Sequence, residues 1–148
     1  MRDSQASFDQ VNLVVGDMDA ALDFYRRLGV TIHGAPEWPP GSGARHAEAD
    51  SVGEARFELD NHTMAAIWHV GWRQAAGGSR VVLGFSFASR EAVDERYADL
   101  VGAGYVGRQP PYDAFWGARY AIVQDPAGND VGLMSPVDPT KRSVPPAR

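Results

Sequence analysis

Cysteine is absent from the 148 residues. That removes disulfides, thiolate metal sites and a cysteine nucleophile together, and it agrees with a reducing compartment. No apolar run approaches the roughly 20 residues that span a bilayer. The opening Met1-Arg2-Asp3-Ser4-Gln5 lacks the apolar core of a signal peptide. The cytoplasm is therefore the expected location, with no membrane partner. Basic clustering is missing too. The net charge is -5, and Arg26-Arg27 and Lys141-Arg142 are the only basic pairs, which argues against nucleic acid as a partner. No serine stands in a nucleophile elbow, and no glycines have phosphate-loop spacing. What is present is an ordinary globular balance, 44% hydrophobic and 22% charged, in a chain of about one domain, residues 1–148.

The pattern along the chain occurs twice. Val11, Leu13 and Val15 alternate with Gln10, Asn12 and Val14, which predicts a strand. Asp17 is suited to cap a helix, because its carboxylate can accept amide hydrogens of the first turn. Ala21, Leu22, Tyr25 and Leu28 follow at helical spacing, and Gly29 stands where a left-handed stop is wanted. At an offset of 72 residues the order recurs: strand Val82–Phe87, cap Ser89, apolar stripe Val93, Tyr97, Leu100 and Val101, then Gly102 and Gly104. Tyr97 falls on Tyr25 and Leu100 on Leu28. A period this long marks a duplicated module. Each helix is followed by predicted strands: 30–33, 45–49, 56–59 and 63–68 in the first half, and 105–108, 118–124 and 130–135 in the second. The first module spans residues 8–73 and the second 80–136. Residues 74–79, with Ala75-Ala76-Gly77-Gly78, form a linker. The proline-bearing stretch 137–148 is expected to be a flexible tail.

Two segments carry a family resemblance. Gln10–Gly29, with Phe24, Tyr25, Leu28 and Gly29, resembles the opening of the vicinal-oxygen-chelate superfamily, which includes glyoxalases, bleomycin-resistance proteins and extradiol dioxygenases. Trp116–Tyr120 through the Asp125-Pro126-Ala127-Gly128-Asn129 turn resembles its final hairpin. The resemblance implies an α+β fold of two tandem βαβββ modules, their mixed sheets curled around a central ligand cleft. It also implies a homodimer. In metal-dependent members, His, Gln or Glu from the first and last strands of the modules hold the ion. Those positions fall on Gln10, Ala66, Val82 and Gly132, of which only Gln10 has a donor side chain. No metal and no other cofactor is therefore expected. The alternative is a divalent ion held by Gln10 with donors such as His46 and Glu48, which alternate along one predicted strand.

Strand alternation sorts the remaining candidates. Gln10, Asn12, Ser86 and Met134 fall on the cleft side, as does Trp68, and the polar members can orient a ligand. Trp38 in the Pro/Gly loop and Trp116 before a strand offer flat faces for stacking; Trp72 reads as packing. Arg119 suits an anionic group, or else a carboxylate at a strand edge. His46 with Glu48 also has the spacing of a proton-transfer pair. The resulting expectation is a metal-independent protein that binds a small organic molecule, similar to the drug-sequestering members. The alternative is a metal-dependent lyase, isomerase or dioxygenase.

Overall fold

The computed structural model describes residues 10–50, 55–69, 74 and 81–144. Trp72, the expected linker apart from residue 74, and the last four residues of the tail lie outside them. The chain divides into two compact units, residues 1–76 and 77–148.

In the first unit, strand β1 (Gln10–Val15) leads into helix α1 (Met18–Leu28). The helix begins where the sequence predicts, because Asp17 accepts the Ala20 amide at 3.0 Å. It stops at Gly29, whose φ of 118° is open to glycine and strained for other residues. Val30 then donates back to the Tyr25 carbonyl at 2.9 Å, closing the last turn. Strands β2 (His46–Glu48) and β3 (Arg56–Asn61) complete a sheet of order β1-β3-β2, with β1 parallel and β2 antiparallel to β3. Phe24, Tyr25, Leu28 and Leu59 are buried, and Tyr25 meets Phe57 edge-on at 5.2 Å. Leu59 and its cross-strand partner Ala47 place the apolar face of the sheet in this core. The cap makes a modest prediction: Asp17→Ala should lower stability by about 1 kcal/mol, read as a shift in the urea midpoint with unchanged slope.

Two expectations for this unit are corrected. Residues 30–33 form no strand; Ile32 makes only an isolated bridge to Ala49. Residues 63–68 are not a strand either but belong to helix α2 (His62–Trp68). Asn61 decides the second case. Its side chain accepts the Met64 amide at 2.9 Å, so the chain turns into a helix directly after β3. A short apolar run such as 63–68 does not distinguish strand from helix by its period.

The second unit is βαβββ in order: β4 (Val82–Ser86), α3 (Arg90–Gly102), β5 (Gly107–Asp113), β6 (Arg119–Gln124) and β7 (Asp130–Met134). Its sheet runs β4-β7-β6-β5, with only β4 and β7 parallel. Ser89 caps α3 by accepting the Ala92 amide at 3.0 Å. The 72-residue offset holds through this cap and then drifts. Helix α3 runs two residues longer than α1, and its left-handed glycine is Gly104, 75 residues after Gly29. Tyr97 is half-buried where Tyr25 is fully buried. Strand β5 slips register twice against β6, once between Gly107 and Gln109 and once across Pro110 and Pro111, which lack amide donors. Val93, Leu100, Val123, Val131 and Leu133 form the core.

From Pro136, where the composition suggested a loose end, the chain is tied down through Ser143. Asp138 donates to the Gly117 carbonyl at 3.0 Å, and Ser143 donates to the Phe115 carbonyl at 2.9 Å. A short 3-10 turn, Pro139–Lys141, lies between them, capped by the Asp138 side chain.

Candidate functional site

Pairing in the first unit sets six polar side chains on one face of the sheet. Directly opposed residues share a face, and alternate residues along a strand return to it. Gln10 and Asn12 on β1, Glu58 and Asp60 on β3, and His46 and Glu48 on β2 meet this rule through the registers Asn12↔Glu58, His46↔Asp60 and Glu48↔Glu58. The opposite face carries Leu59 and Ala47 into the core.

Asp60 anchors this face. It is 2% exposed, yet its carboxylate accepts three hydrogen bonds. They come from Asn12 Nδ2 at 2.7 Å, His46 Nδ1 at 2.6 Å and Trp68 Nε1 at 3.2 Å. Burial of this kind is tolerated because the charge is hydrogen-bonded on every side. The His46 ring is thereby fixed, with Nε2 facing Glu48 Oε1 at 3.3 Å. Burial works to lower the His46 pKa, but the bond and charge of Asp60, with Glu48 and Glu58 nearby, outweigh it and raise the value. Asn12 Oδ1 is buried and has no hydrogen-bond partner among the described residues.

A cavity of about 670 Å³ opens beside this face. Pro36, Trp38, Met64 and Trp68 form its apolar walls, and Gln10, Asn12, His46 and Asp60 its polar floor. Helix α2 supplies Met64 and Trp68; the loop before β2 supplies Pro36 and Trp38. Trp38 is 71% exposed and Trp68 53% exposed, so each indole keeps surface that packing does not cover. The Trp68 ring also stacks on His69, with centroids 6.0 Å apart.

Five of the ten residues singled out from sequence thus line one cavity: Gln10, Asn12, Trp38, His46 and Trp68. Glu48 stands next to His46. The other four lie in the second unit. Ser86 and Met134 are register partners on β4 and β7. Trp116 packs edge-on against Tyr120 at 5.2 Å. Arg119 is engaged by carboxylates, at 2.8 and 3.3 Å from Asp94 and 3.3 Å from Asp113; the hydrogen bond to Asp94 raises its pKa despite some burial. It takes the strand-edge pairing that the sequence left open. Asp60 and Glu58 were missed. Their alternation, Glu58-Leu59-Asp60, was legible as a strand with two carboxylates on one side.

A family model for the glyoxalase/bleomycin resistance protein/dioxygenase superfamily matches residues 7–133. The chain belongs to this superfamily. No curated protein sequence matches it. Solved members are similar in fold. A glyoxalase/bleomycin resistance protein/dioxygenase from Nocardioides is 20% identical with a TM-score of 0.68, covering 98% of this chain and 90% of its own. A family enzyme from Burkholderia phytofirmans PsJN is 21% identical with a TM-score of 0.70, at 88% and 98% coverage. A lactoylglutathione lyase from Agrobacterium tumefaciens is 19% identical with a TM-score of 0.60, at 89% and 95% coverage.

The register also corrects one superfamily ligand position. Gly132 pairs with Gly84 on the parallel strand β4, and the residue holding that place in the first unit is Glu58, paired with Asn12 on β1. Ala66, counted from a strand that does not form, lies on α2 instead. The four positions are therefore Gln10, Glu58, Val82 and Gly132. Valine and glycine offer no side-chain donor, so the superfamily's usual metal set does not fit this chain. At Gly132 there is little room for one: an added Cβ would stand 2.8 Å from Tyr120 Oη.

Proposed function

We propose that this superfamily member binds a small organic molecule in the cavity of its first unit. The observation that carries the reading is the pair of exposed indoles, Trp38 and Trp68, standing over a floor of fixed polar groups. A flat ring would lie on the indoles, which supply area at little cost in conformational freedom. Gln10 and His46 would orient its polar edge. Apolar walls with a few placed polar groups are the usual make-up of such a pocket. This binding needs no ion at the superfamily's four positions, two of which have no donor. Sequestration of a drug or metabolite is the simplest use, and a cytoplasmic homodimer is part of the proposal. A species of 16.0 kDa in sedimentation equilibrium would remove the dimer.

Calorimetric titration with a panel of planar aromatic compounds tests the pocket. At least one compound should bind saturably, and Trp68→Ala should weaken it about tenfold, as loss of a central aromatic contact does. Equal affinity in the Trp38→Ala/Trp68→Ala double variant would place the ligand elsewhere. A second reading, a metal-dependent lyase, isomerase or dioxygenase, draws support from Glu58. Its first requirement is a bound divalent ion.

A further inference from the structure

We propose that His46, Glu48 and Glu58 form a divalent transition-metal site contained in the first unit. Their ligand atoms lie within 4.8 Å of one another. The set differs from the superfamily's own, which draws on first and last strands of both modules; here two of three donors come from β2. It shares His46 with the floor of the cavity and requires no organic ligand there.

Three observations favour a cation at this place. Glu48 and Glu58 are direct cross-strand partners on one face. Like charges so placed repel and weaken a sheet, and a shared cation removes the conflict. Glu58 is also nine-tenths buried, and its carboxylate is paired with Arg56 Nη1 at 3.6 Å, longer than a hydrogen bond. Buried carboxylates ordinarily have full sets of partners, as Asp60 does two residues away. Beside Glu58, on the adjoining strand, lies an unmet oxygen, the buried Asn12 Oδ1.

His46 is set up for the same role from behind. Its Nδ1 is bonded to Asp60, whose other partners, Asn12 and Trp68, hold that carboxylate still. A carboxylate behind one ring nitrogen fixes the tautomer and leaves the other nitrogen to a metal. The Glu48 side chain is 68% exposed, so it can turn from His46 Nε2 toward an ion. One imidazole and two carboxylates suit zinc, manganese, iron or cobalt. They are too few for calcium, which takes 6–8 oxygens. Three protein donors leave positions for water or for an exogenous oxygen.

The test is titration of the chelator-treated full chain with cobalt(II), followed by visible absorption and by calorimetry. One equivalent should bind and give ligand-field bands. His46→Gln, Glu48→Gln and Glu58→Gln should each weaken binding at least tenfold. Glu58→Gln removes a like-charge conflict and should keep or raise the melting temperature of the metal-free protein, so its loss of binding is not unfolding. His33→Gln, which alters an exposed histidine paired with Asp50, should bind as the parent does. No saturable binding by the parent chain overturns the proposal. So does binding that survives Glu58→Gln, or that disappears in His33→Gln.

Discussion

Asp60→Leu should lower the stability of the protein by about 3 kcal/mol, and Asp60→Asn by roughly half as much. Leucine fills a similar volume but leaves Asn12 Nδ2, His46 Nδ1 and Trp68 Nε1 without their acceptor. Each stranded buried donor costs about 1–3 kcal/mol. His46, which is one-third exposed, can recover part of its loss from water. Asparagine keeps one oxygen and turns an amide toward the other donors, of which only His46 Nδ1 can accept it, by a change of tautomer. For a chain of this length the leucine variant should melt about 10 °C lower, at 2–4 °C per kcal/mol. Urea denaturation followed by far-UV circular dichroism checks the free energy. A loss under 1 kcal/mol in Asp60→Leu would show that the three bonds contribute little. The same variant frees the His46 ring and the Trp68 indole, so it should also erode binding in the cavity beyond its effect on stability.

Gly117→Ala should be the other severe change, at about 3 kcal/mol. Gly117 has φ of 98°, which costs a residue with a Cβ about 1–2 kcal/mol. The added carbon would also stand 2.4 Å from the carbonyl oxygen of Asp138. That oxygen belongs to backbone held on both sides, by Asp138 N to Gly117 O and by Ser143 N to Phe115 O. The clash is relieved by releasing residues 138–143. The variant should therefore be cut by protease after Pro136 faster than the parent, alongside its lower midpoint. Gly128→Ala gives the control. Its φ is 89°, but the nearest atom to an added Cβ is 3.9 Å away, so only the backbone cost of about 1 kcal/mol applies. Equal losses for the two would mean that the docked segment adds nothing.

The two modules were legible because their landmarks are local. Asp17 and Ser89 cap helices by bonding amides three residues on, and Gly29 ends one by its own backbone freedom. Such signals need no knowledge of the rest of the chain. The floor of the cavity was legible in part for the same reason: alternation alone placed Gln10 with Asn12, and His46 with Glu48. What failed was pairing. Nothing in the sequence tells which strand lies parallel to β1, and counting from a presumed strand at 63–68 put Ala66 where Glu58 stands. Asn61 as a helix cap was the available clue. The drift of the repeat from 72 to 75 residues escaped for a related reason, since the left-handed turn follows the true end of α3 and a fixed offset cannot follow it. Arg119 remained open in sequence because its partners, Asp94 and Asp113, lie on other elements.

Tyr120 and Gly132 are sterically coupled neighbours. The hydroxyl and ring edge of Tyr120 occupy the space that a side chain at 132 would need, and the ring is itself braced by Trp116 and Tyr112. A single change of Gly132 to a metal-binding glutamate would meet that ring and disturb three aromatics. Making Tyr120 small first would open a gap in the sheet face with nothing to fill it. Each step is unfavourable without the other, so a donor at this position needs both changes together. An engineer who wants the superfamily's metal chemistry in this chain should change both residues at once.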